Sequence, residues 1–364
     1  MVGSSADGSS PADTFGFVLR VYLDQNKWVD LARAAKGHPL GARFVDALVS
    51  ARAAVAAGQA SFPLDLYRYI ETGKRGDDRS RIALADVMFE LSDQHTMAGQ
   101  HAILPTEIDW ALKRRFGRPQ HPRQHEVFGA GLPHMTAGQV TWPSFDHGRL
   151  PDEIVFESRE ELTELERIYN ALFERELLRM GPNKIRDAGF DPTGSEFGQR
   201  FVDIENSIGD AIREQRLSGG LIEVAVRASD LGSIRTPVTE ALQRIGITWE
   251  GFVGSSSPTE LMTFMDDLPT RYVTNVMRSA KLRQTQQKWE PNDFNDIVSL
   301  PVAAVYCDVV ITEKQWVHRF RQGRVDRRYD TALLTDTAQL VDVLNLRQPS
   351  KIEIPLLRLN GSHD

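Results

Sequence analysis

The chain has 364 residues, a formal net charge of −7 and a single cysteine, Cys307. The length allows two or three domains, or one α/β domain with a large insertion. The acidic balance argues against a general nucleic-acid coat protein but leaves room for a nuclease whose acidic site binds cations. The lone cysteine excludes an intrachain disulfide, as is usual in a reducing cytosol. No apolar run reaches the roughly 18 residues of a membrane span, so we expect a cytoplasmic protein.

The N-terminal region predicts a leader followed by a buried strand. Residues 1–14 are rich in Ser, Gly, Ala and Asp and lack the features of a secretory signal, so we expect a disordered leader. Residues 17–23 (FVLRVYL) are β-branched and aromatic, which predicts a strand that presents Asp24 at its C-terminal end. Asp24 could instead simply cap the helix that begins near Lys27.

Helices and short strands alternate as far as Phe116. One predicted helix carries Glu71 near its end, where the carboxylate is either a ligand or a solvated side chain. Pro105 suits the first position of the last helix in this region. The predicted helices span 29–35, 42–57, 66–72, 79–92 and 106–116, and the predicted strands span 61–64 and 102–104.

Residues 117–288 differ in character from the rest of the chain. The stretch 117–151 is rich in Pro, Gly and His and has no periodicity, which is typical of a functional or disordered loop. Most of 152–288 has helical periodicity, so we interpret 117–288 as a loop and helical insertion. The flanking segments 15–116 and 289–350 then form two parts of one domain. Residues 351–364 are a C-terminal tail.

The stretch after the insertion combines acids, a helix and a strand. Asp293 and Asp296 are three residues apart, so they share one face of a first helical turn, where the helix dipole favours negative charge. Asp293 could instead cap that helix. Pro301 should kink the helix or end it early. The β-branched residues 308–311 predict a strand that ends at Thr312 and Glu313. A helix at 314–321, a strand at 331–334 and a helix at 337–344 follow.

Outside the insertion this alternation predicts an α/β fold, with a central parallel sheet flanked by helices. Ligands of such sheets bind beyond the carboxyl ends of the strands. Acids near element ends can build a carboxylate cup for Mg²⁺ or Mn²⁺, and two such ions support phosphodiester hydrolysis. The candidate metal ligands are Asp24, Glu71, Asp293, Asp296 and Glu313.

Three segments, VYLDQN, FPLDLYRYIET and NDFNDIVSLPVAAVYCDVVITE, resemble in this order the motifs of PIN-like nuclease domains. These are metal-dependent ribonucleases that include many bacterial toxins. The resemblance covers about 15–116 and 292–344. It implies a PIN-like sheet and four catalytic, metal-binding acids, with Asp293 as an extra or substitute ligand. Glu313 departs from the pattern in two ways. The family more often has Asp at this position, and many members have one residue between the Thr and the acid, whereas Glu313 directly follows Thr312. The four acids are Asp24, Glu71, Asp296 and Glu313.

The resemblance implies a Mg²⁺- or Mn²⁺-dependent endonuclease that acts on RNA rather than DNA and leaves a 5′-phosphate and a 3′-hydroxyl. A role as a toxin or in defence would bring an antitoxin or another protein partner, and a homo-oligomer is left open. The alternative is a catalytically weak PIN-like scaffold that binds RNA or a protein partner.

Polar and basic residues near the acids are the candidate substrate contacts. A basic helix at 271–283 and basic residues after Glu313 could bind phosphates, although charged runs are usually solvated faces. The candidates are Asn26, Lys27, Thr312, Lys314, Arg271, Arg278 and Arg283.

A zinc site in the loop 117–151 is a weaker alternative, because the histidines of this loop have no cysteine partner and an unusual spacing. They are His121, His125, His134 and His147.

Overall fold

The computed structural model describes five segments of the chain. They are residues 18–117, 126–139, 158–187, 195–284 and 287–346. The predicted leader, the predicted C-terminal tail and three of the loop histidines (His121, His125 and His147) lie outside the described residues. No helix in the described segments is both long enough and apolar enough to cross a membrane.

A small parallel sheet lies at the centre of the fold. Its strand order is β2-β1-β5-β6, and a separate antiparallel pair joins β3 to β4. The chain forms β2 on one side of β1 and later returns to the other side with β5, so the strand order reverses between β1 and β5. Such a switch point opens a crevice at the carboxyl ends of the strands. The strands are β1 (Leu19–Leu23), β2 (Ala60–Ser61), β3 (His95–Met97), β4 (Phe128–Ala130), β5 (Val309–Ile311) and β6 (Ala332–Leu334).

Helices make up most of the remaining structure, in three groups along the chain. Those before the insertion are α1 (Gln25–Ala35), α2 (Val45–Ala56), α3 (Leu66–Gly73), α4 (Asp78–Ser92) and α5 (Gln100–Phe116). Those of the insertion are α6 (Gly131–Met135), α7 (Arg159–Arg179), α8 (Pro182–Asp187), α9 (Ser195–Glu214), α10 (Gly220–Ser233), α11 (Arg235–Arg244), α12 (Trp249–Gly254), α13 (Pro258–Asp266) and α14 (Pro269–Leu282). The last group is α15 (Asp293–Tyr306), α16 (Lys314–Gln322), α17 (Val325–Tyr329) and α18 (Leu340–Leu346).

The parallel sheet and the helical character of the described part of the insertion are confirmed. One strand prediction was wrong, and one of the two alternatives at Pro301 does not occur. The strand predicted at 102–104 belongs to α5, which begins at Gln100 and contains Pro105. The early stop predicted at Pro301 does not occur, because α15 continues to Tyr306. Proline inside a helix costs about 3 kcal/mol. Burial of every residue from Ser299 to Tyr306 provides packing that offsets this cost.

The two faces of the sheet are buried in different hydrophobic clusters, because successive strand residues point to opposite faces. Leu19, Val21 and Leu23 of β1 pack with α1, α2 and α4. Tyr22 and Val310 pack on the other face with α14, α15 and α16. This alternation places α15, with its acids, directly against the sheet.

Helices of the insertion contribute to these same clusters. Leu178 of α7 packs on the first face of the sheet. Val202, Ile222 and Val273, from α9, α10 and α14, pack on the second. A third cluster joins α5 to α11, α12 and α13. The described part of the insertion is therefore built into both sides of the α/β core.

Candidate acidic site at the switch point of the sheet

Asp24 lies where β1 ends, at the switch point. Its side chain accepts hydrogen bonds at Oδ1 from the backbone N–H of Gln25 (2.7 Å) and from Nη1 of Arg68 (2.8 Å). Oδ2 accepts from the hydroxyl of Thr312 (2.9 Å), which follows β5. Asp24 therefore caps α1 and also belongs to the acidic site, so the two interpretations of this residue are compatible.

Arg68 on α3 is the central cation of the site, and its side chain is 1% exposed. Besides Asp24 it pairs with Asp65 (Nε to Oδ2, 3.6 Å) and with Glu71 (Nη2 to Oε2, 3.5 Å). Burial alone would lower the pKa of the guanidinium, but the surrounding ionisable groups, Tyr22 foremost, raise it well above its usual value. Arg68 is thus a permanent positive charge among several carboxylates.

Helix α15 brings the second group of side chains to the site. Nδ2 of Asn295 donates to Oε1 of Glu71 at 2.9 Å. The Asp296 carboxylate accepts from Nε1 of Trp316 at 2.8 Å. Burial raises the pKa of Asp296 well above its usual value, and the charges of Asp24 and Glu71 raise it further. Asp24, Glu71 and Asp296 therefore lie within electrostatic range of one another.

Glu313 lies at the exposed rim of this cluster. Its carboxylate accepts from Nδ2 of Asn26 at 3.5 Å and from Nε2 of Gln315 at 2.9 Å. Asn26 and Lys314 are exposed beside it. We use the term acidic site for Asp24, Glu71, Asp296 and Glu313 together with Arg68.

Asp293 is held apart from the acidic site by its own partners. Its carboxylate pairs with Nζ of Lys281 at 2.5 Å and accepts from the backbone N–H of Glu290 at 2.6 Å. A buried ammonium group on α14 and a backbone N–H thus already engage this carboxylate. We do not count Asp293 among the cation donors.

The helix at 271–283 was predicted to bind the substrate through its basic side chains. Most of these side chains form ion pairs within the fold. Arg271 forms a buried ion pair with Asp230, and Nη2 of Arg278 lies 2.7 Å from Glu205. Arg283 pairs with Glu223 and is partly exposed. Carboxylates of α9 and α10 therefore pair with these guanidinium groups, so we expect no direct phosphate contact from Arg271 or Arg278.

Two other predicted residues have structural partners. Nζ of Lys27 donates to the backbone carbonyl of Thr335 at 2.9 Å, which ties α1 to the chain after β6.

His134 lies 2.9 Å from the Thr96 hydroxyl and 2.8 Å from the carbonyl of Glu126 through its two ring nitrogens. Both ring nitrogens of His134 are thus engaged by the protein, which leaves no support for zinc at this histidine.

The acidic site combines several carboxylates but is not a preformed metal cage. In the described segments, no group of three or more His, Cys, Asp and Glu side chains is arranged to hold a metal ion. Arg68 binds Asp24 and Glu71. Carboxylate oxygens are the donors that Mg²⁺ and Mn²⁺ prefer. A cation would therefore compete with Arg68 for the oxygens of Asp24 and Glu71.

Sequence reasoning missed the residues that position the acids. Arg68 precedes Glu71 by three residues on a predicted helix, a spacing that signals a side-chain pair. Asn295 lies between the two candidate aspartates. Nothing in the sequence indicates that the indole of Trp316 reaches Asp296, because that contact needs α16 to fold back on α15.

A cavity of about 380 Å³ lies near the acidic site, although none of the residues of that site line it. Asp65, the partner of Arg68, lies in its wall, and Ser299 lies one helical turn after Asp296. The Ser299 hydroxyl is buried and has no hydrogen-bond partner among the described residues. The wall also contains Arg271 and apolar side chains such as Met97 and Ile234. The cavity is thus linked to the acidic site through the pair of Asp65 with Arg68.

Comparisons of the chain with models of protein families, with curated proteins and with solved structures gave no match. The resemblance to PIN-like domains therefore rests on the three sequence segments alone.

Proposed function

We propose that the acidic site holds Mg²⁺ or Mn²⁺ and that the protein is a PIN-like endonuclease that hydrolyses phosphodiester bonds, most readily in RNA. One observation carries the proposal. Asp24, Glu71 and Asp296, from distant parts of the chain, lie in electrostatic range of one another at the switch point, with one guanidinium among them. A divalent cation there would supply positive charge at the scissile phosphate and activate the attacking water.

The chain's own residues would orient the donors. Arg68 and Thr312 fix the two oxygens of Asp24, and Asn295 fixes Glu71. Trp316 fixes Asp296. Partners of this kind hold donors in place before the substrate arrives, and their loss typically costs 10- to 100-fold in metal affinity or activity. At the rim, exposed Lys314 and Asn26 would meet the nucleic-acid backbone.

Calorimetric titration with Mg²⁺ and Mn²⁺ tests the proposal directly. Asp296→Asn is the best variant, because Asp296 has no ion pair in the described structure, whereas Asp24 also caps α1 and binds Arg68. We expect Asp296→Asn to lose cation binding and RNA cleavage while remaining folded. Asp293→Asn, the same change three residues away, tests the extra ligand that the resemblance implies; it should keep cation binding and cleavage, at lower stability because it breaks the buried pair with Lys281. Cleavage that survives Asp296→Asn would refute the assignment.

A second function, a scaffold that binds RNA or a protein partner such as an antitoxin without cutting, is favoured by Arg68. Its guanidinium already binds two of the proposed cation donors, Asp24 and Glu71. The same titration separates the two functions. A scaffold would release no binding heat with either cation and would leave RNA intact.

A further inference from the structure

A second cavity, of about 250 Å³, lies between α10, α14 and α16 and is rich in arginine. Its wall contains Arg227, Arg283, Arg319 and Arg324. Two of them are neutralised locally. Nε of Arg227 lies 2.7 Å from Asp266, and Arg283 pairs with Glu223, which also lines the cavity. The other two have no carboxylate at ion-pair distance among the described residues.

Arg319 is the buried member of this second pair, and it is 2% exposed; Asp293 and Asp296 act on it only from beyond ion-pair distance. Its Nη2 donates to Oε1 of Gln287 at 2.5 Å, and its guanidinium lies over the Trp316 ring, 4.6 Å from the centroid. Its Nη1 is buried with no hydrogen-bond partner in the described segments. A buried guanidinium N–H without an acceptor is costly. This cost marks a position where an anion would be stabilised.

Further donors converge on the same cavity. The Ser279 hydroxyl lines it, is 3% exposed and also has no hydrogen-bond partner among the described residues. Arg324 is exposed and lies in the wall on the strained backbone turn that follows α16, with a φ of 54°. A guanidinium, a hydroxyl and a second guanidinium form a donor set suited to the oxygens of a phosphate group.

We infer that this cavity is a phosphate-binding site. The inference goes beyond the proposed function, because the cavity uses none of the carboxylates of the acidic site and needs no metal. The two sites meet at Trp316, whose Nε1 donates to Asp296 and whose ring lies under Arg319. The phosphate could therefore belong to an RNA strand that also reaches the acidic site, or to a free phosphomonoester.

Calorimetry with inorganic phosphate in EDTA tests the inference, with KCl of equal ionic strength as the blank. Arg324→Gln should weaken phosphate binding about threefold and Arg319→Gln about tenfold. Arg327→Gln is the matched control, since Arg327 is exposed, carries the same charge and does not line the cavity. If Arg319→Gln fails to fold, Arg324→Gln and Ser279→Ala still decide the outcome.

Phosphate binding should persist in Asp296→Asn, so the inference and the proposed nuclease can fail separately. Competition with inorganic phosphate identifies the molecule that supplies the phosphate group. A short oligoribonucleotide that displaces inorganic phosphate would assign the cavity to the nucleic-acid strand, and displacement by a phosphomonoester alone would assign it to a small molecule. The absence of phosphate heat up to about 10 mM, or equal affinities in Arg324→Gln and Arg327→Gln, would overturn the inference.

Discussion

Nη1 of Arg68 lies 2.8 Å from Oδ1 of Asp24, and both side chains are buried at the end of the first strand. The same guanidinium reaches Asp65 and Glu71. A cation fixed on α3 thus stands among the carboxylates that would bind a metal. Whether it orients those carboxylates for a metal or replaces the metal is the central functional question.

Arg68→Met addresses that question through stability. Removing one partner of a buried ion pair costs about 3–5 kcal/mol, because the remaining charges lose their compensation. If the acidic site binds Mg²⁺, the ion should restore part of this loss, since a ligand of the folded state raises its stability. Urea unfolding with and without Mg²⁺ measures both effects.

The control for this experiment is Arg52→Met. Arg52 pairs with Glu90 at 2.7 Å on the surface, where both side chains are more than 40% exposed. Such pairs contribute less than about 1 kcal/mol, and we expect no Mg²⁺ response from this variant. A Mg²⁺ effect that is no larger in Arg68→Met than in Arg52→Met would favour the scaffold.

Trp316→Phe tests whether the indole orients Asp296. The substitution removes the N–H that donates to Oδ2 and retains an aromatic ring under Arg319. We expect cation affinity to fall about tenfold, as for other partners of metal ligands. Trp28→Phe is a close control, because Trp28 is equally buried and its Nε1 has no partner among the described residues. Equal affinities in the two variants, by calorimetry, would remove Trp316 from the site.

Glu174 should make the stability of the protein depend on pH. Burial raises the pKa of its carboxyl group to about 7, and the hydrogen bond from the Tyr69 hydroxyl only partly opposes the shift. The unfolded chain, with a Glu pKa near 4.3, loses its proton first as pH rises. The folded state then binds more protons, so stability falls between about pH 4.3 and pH 7 and levels off above the folded pKa.

Glu174→Gln keeps an acceptor for Tyr69 and removes the titration. We expect wild type to lose about 2–3 kcal/mol relative to Glu174→Gln between about pH 5 and pH 8. Urea denaturation at the two pH values gives this difference. Parallel pH profiles for both proteins would show that Glu174 titrates normally.

Lys314→Gln and Arg278→Gln test whether exposed or buried basic residues contact the nucleic acid. Lys314 is exposed beside Glu313, so Lys314→Gln should weaken RNA binding and lower the salt slope by about one. Arg278 is buried against Glu205, so Arg278→Gln should reduce stability and leave the salt slope unchanged. Filter binding over a range of KCl concentrations measures the slopes. A reduced slope for Arg278→Gln alone would restore the predicted basic helix as the substrate contact.

The strand that carries Asp24 at its end could be predicted from local sequence. The β-branched and aromatic run before Asp24 acts over a few residues, where backbone preference and burial set the conformation. Proline effects were less predictable. Pro301 lies inside a buried helix, where packing against the sheet outweighs the local cost.

The pairing of charges depends on how the helices pack around the sheet. Asp293 and Asp296 look equivalent in sequence, yet Lys281 of α14 binds the first and Trp316 of α16 the second. Arg278 has the appearance of a solvated base until α9 brings Glu205 against it. Ion pairs depend on distances between elements far apart in the chain, and periodicity contains no information about them. The strand ends could therefore be read from the sequence, whereas the partner of each charge was set by the packing of helices around the sheet.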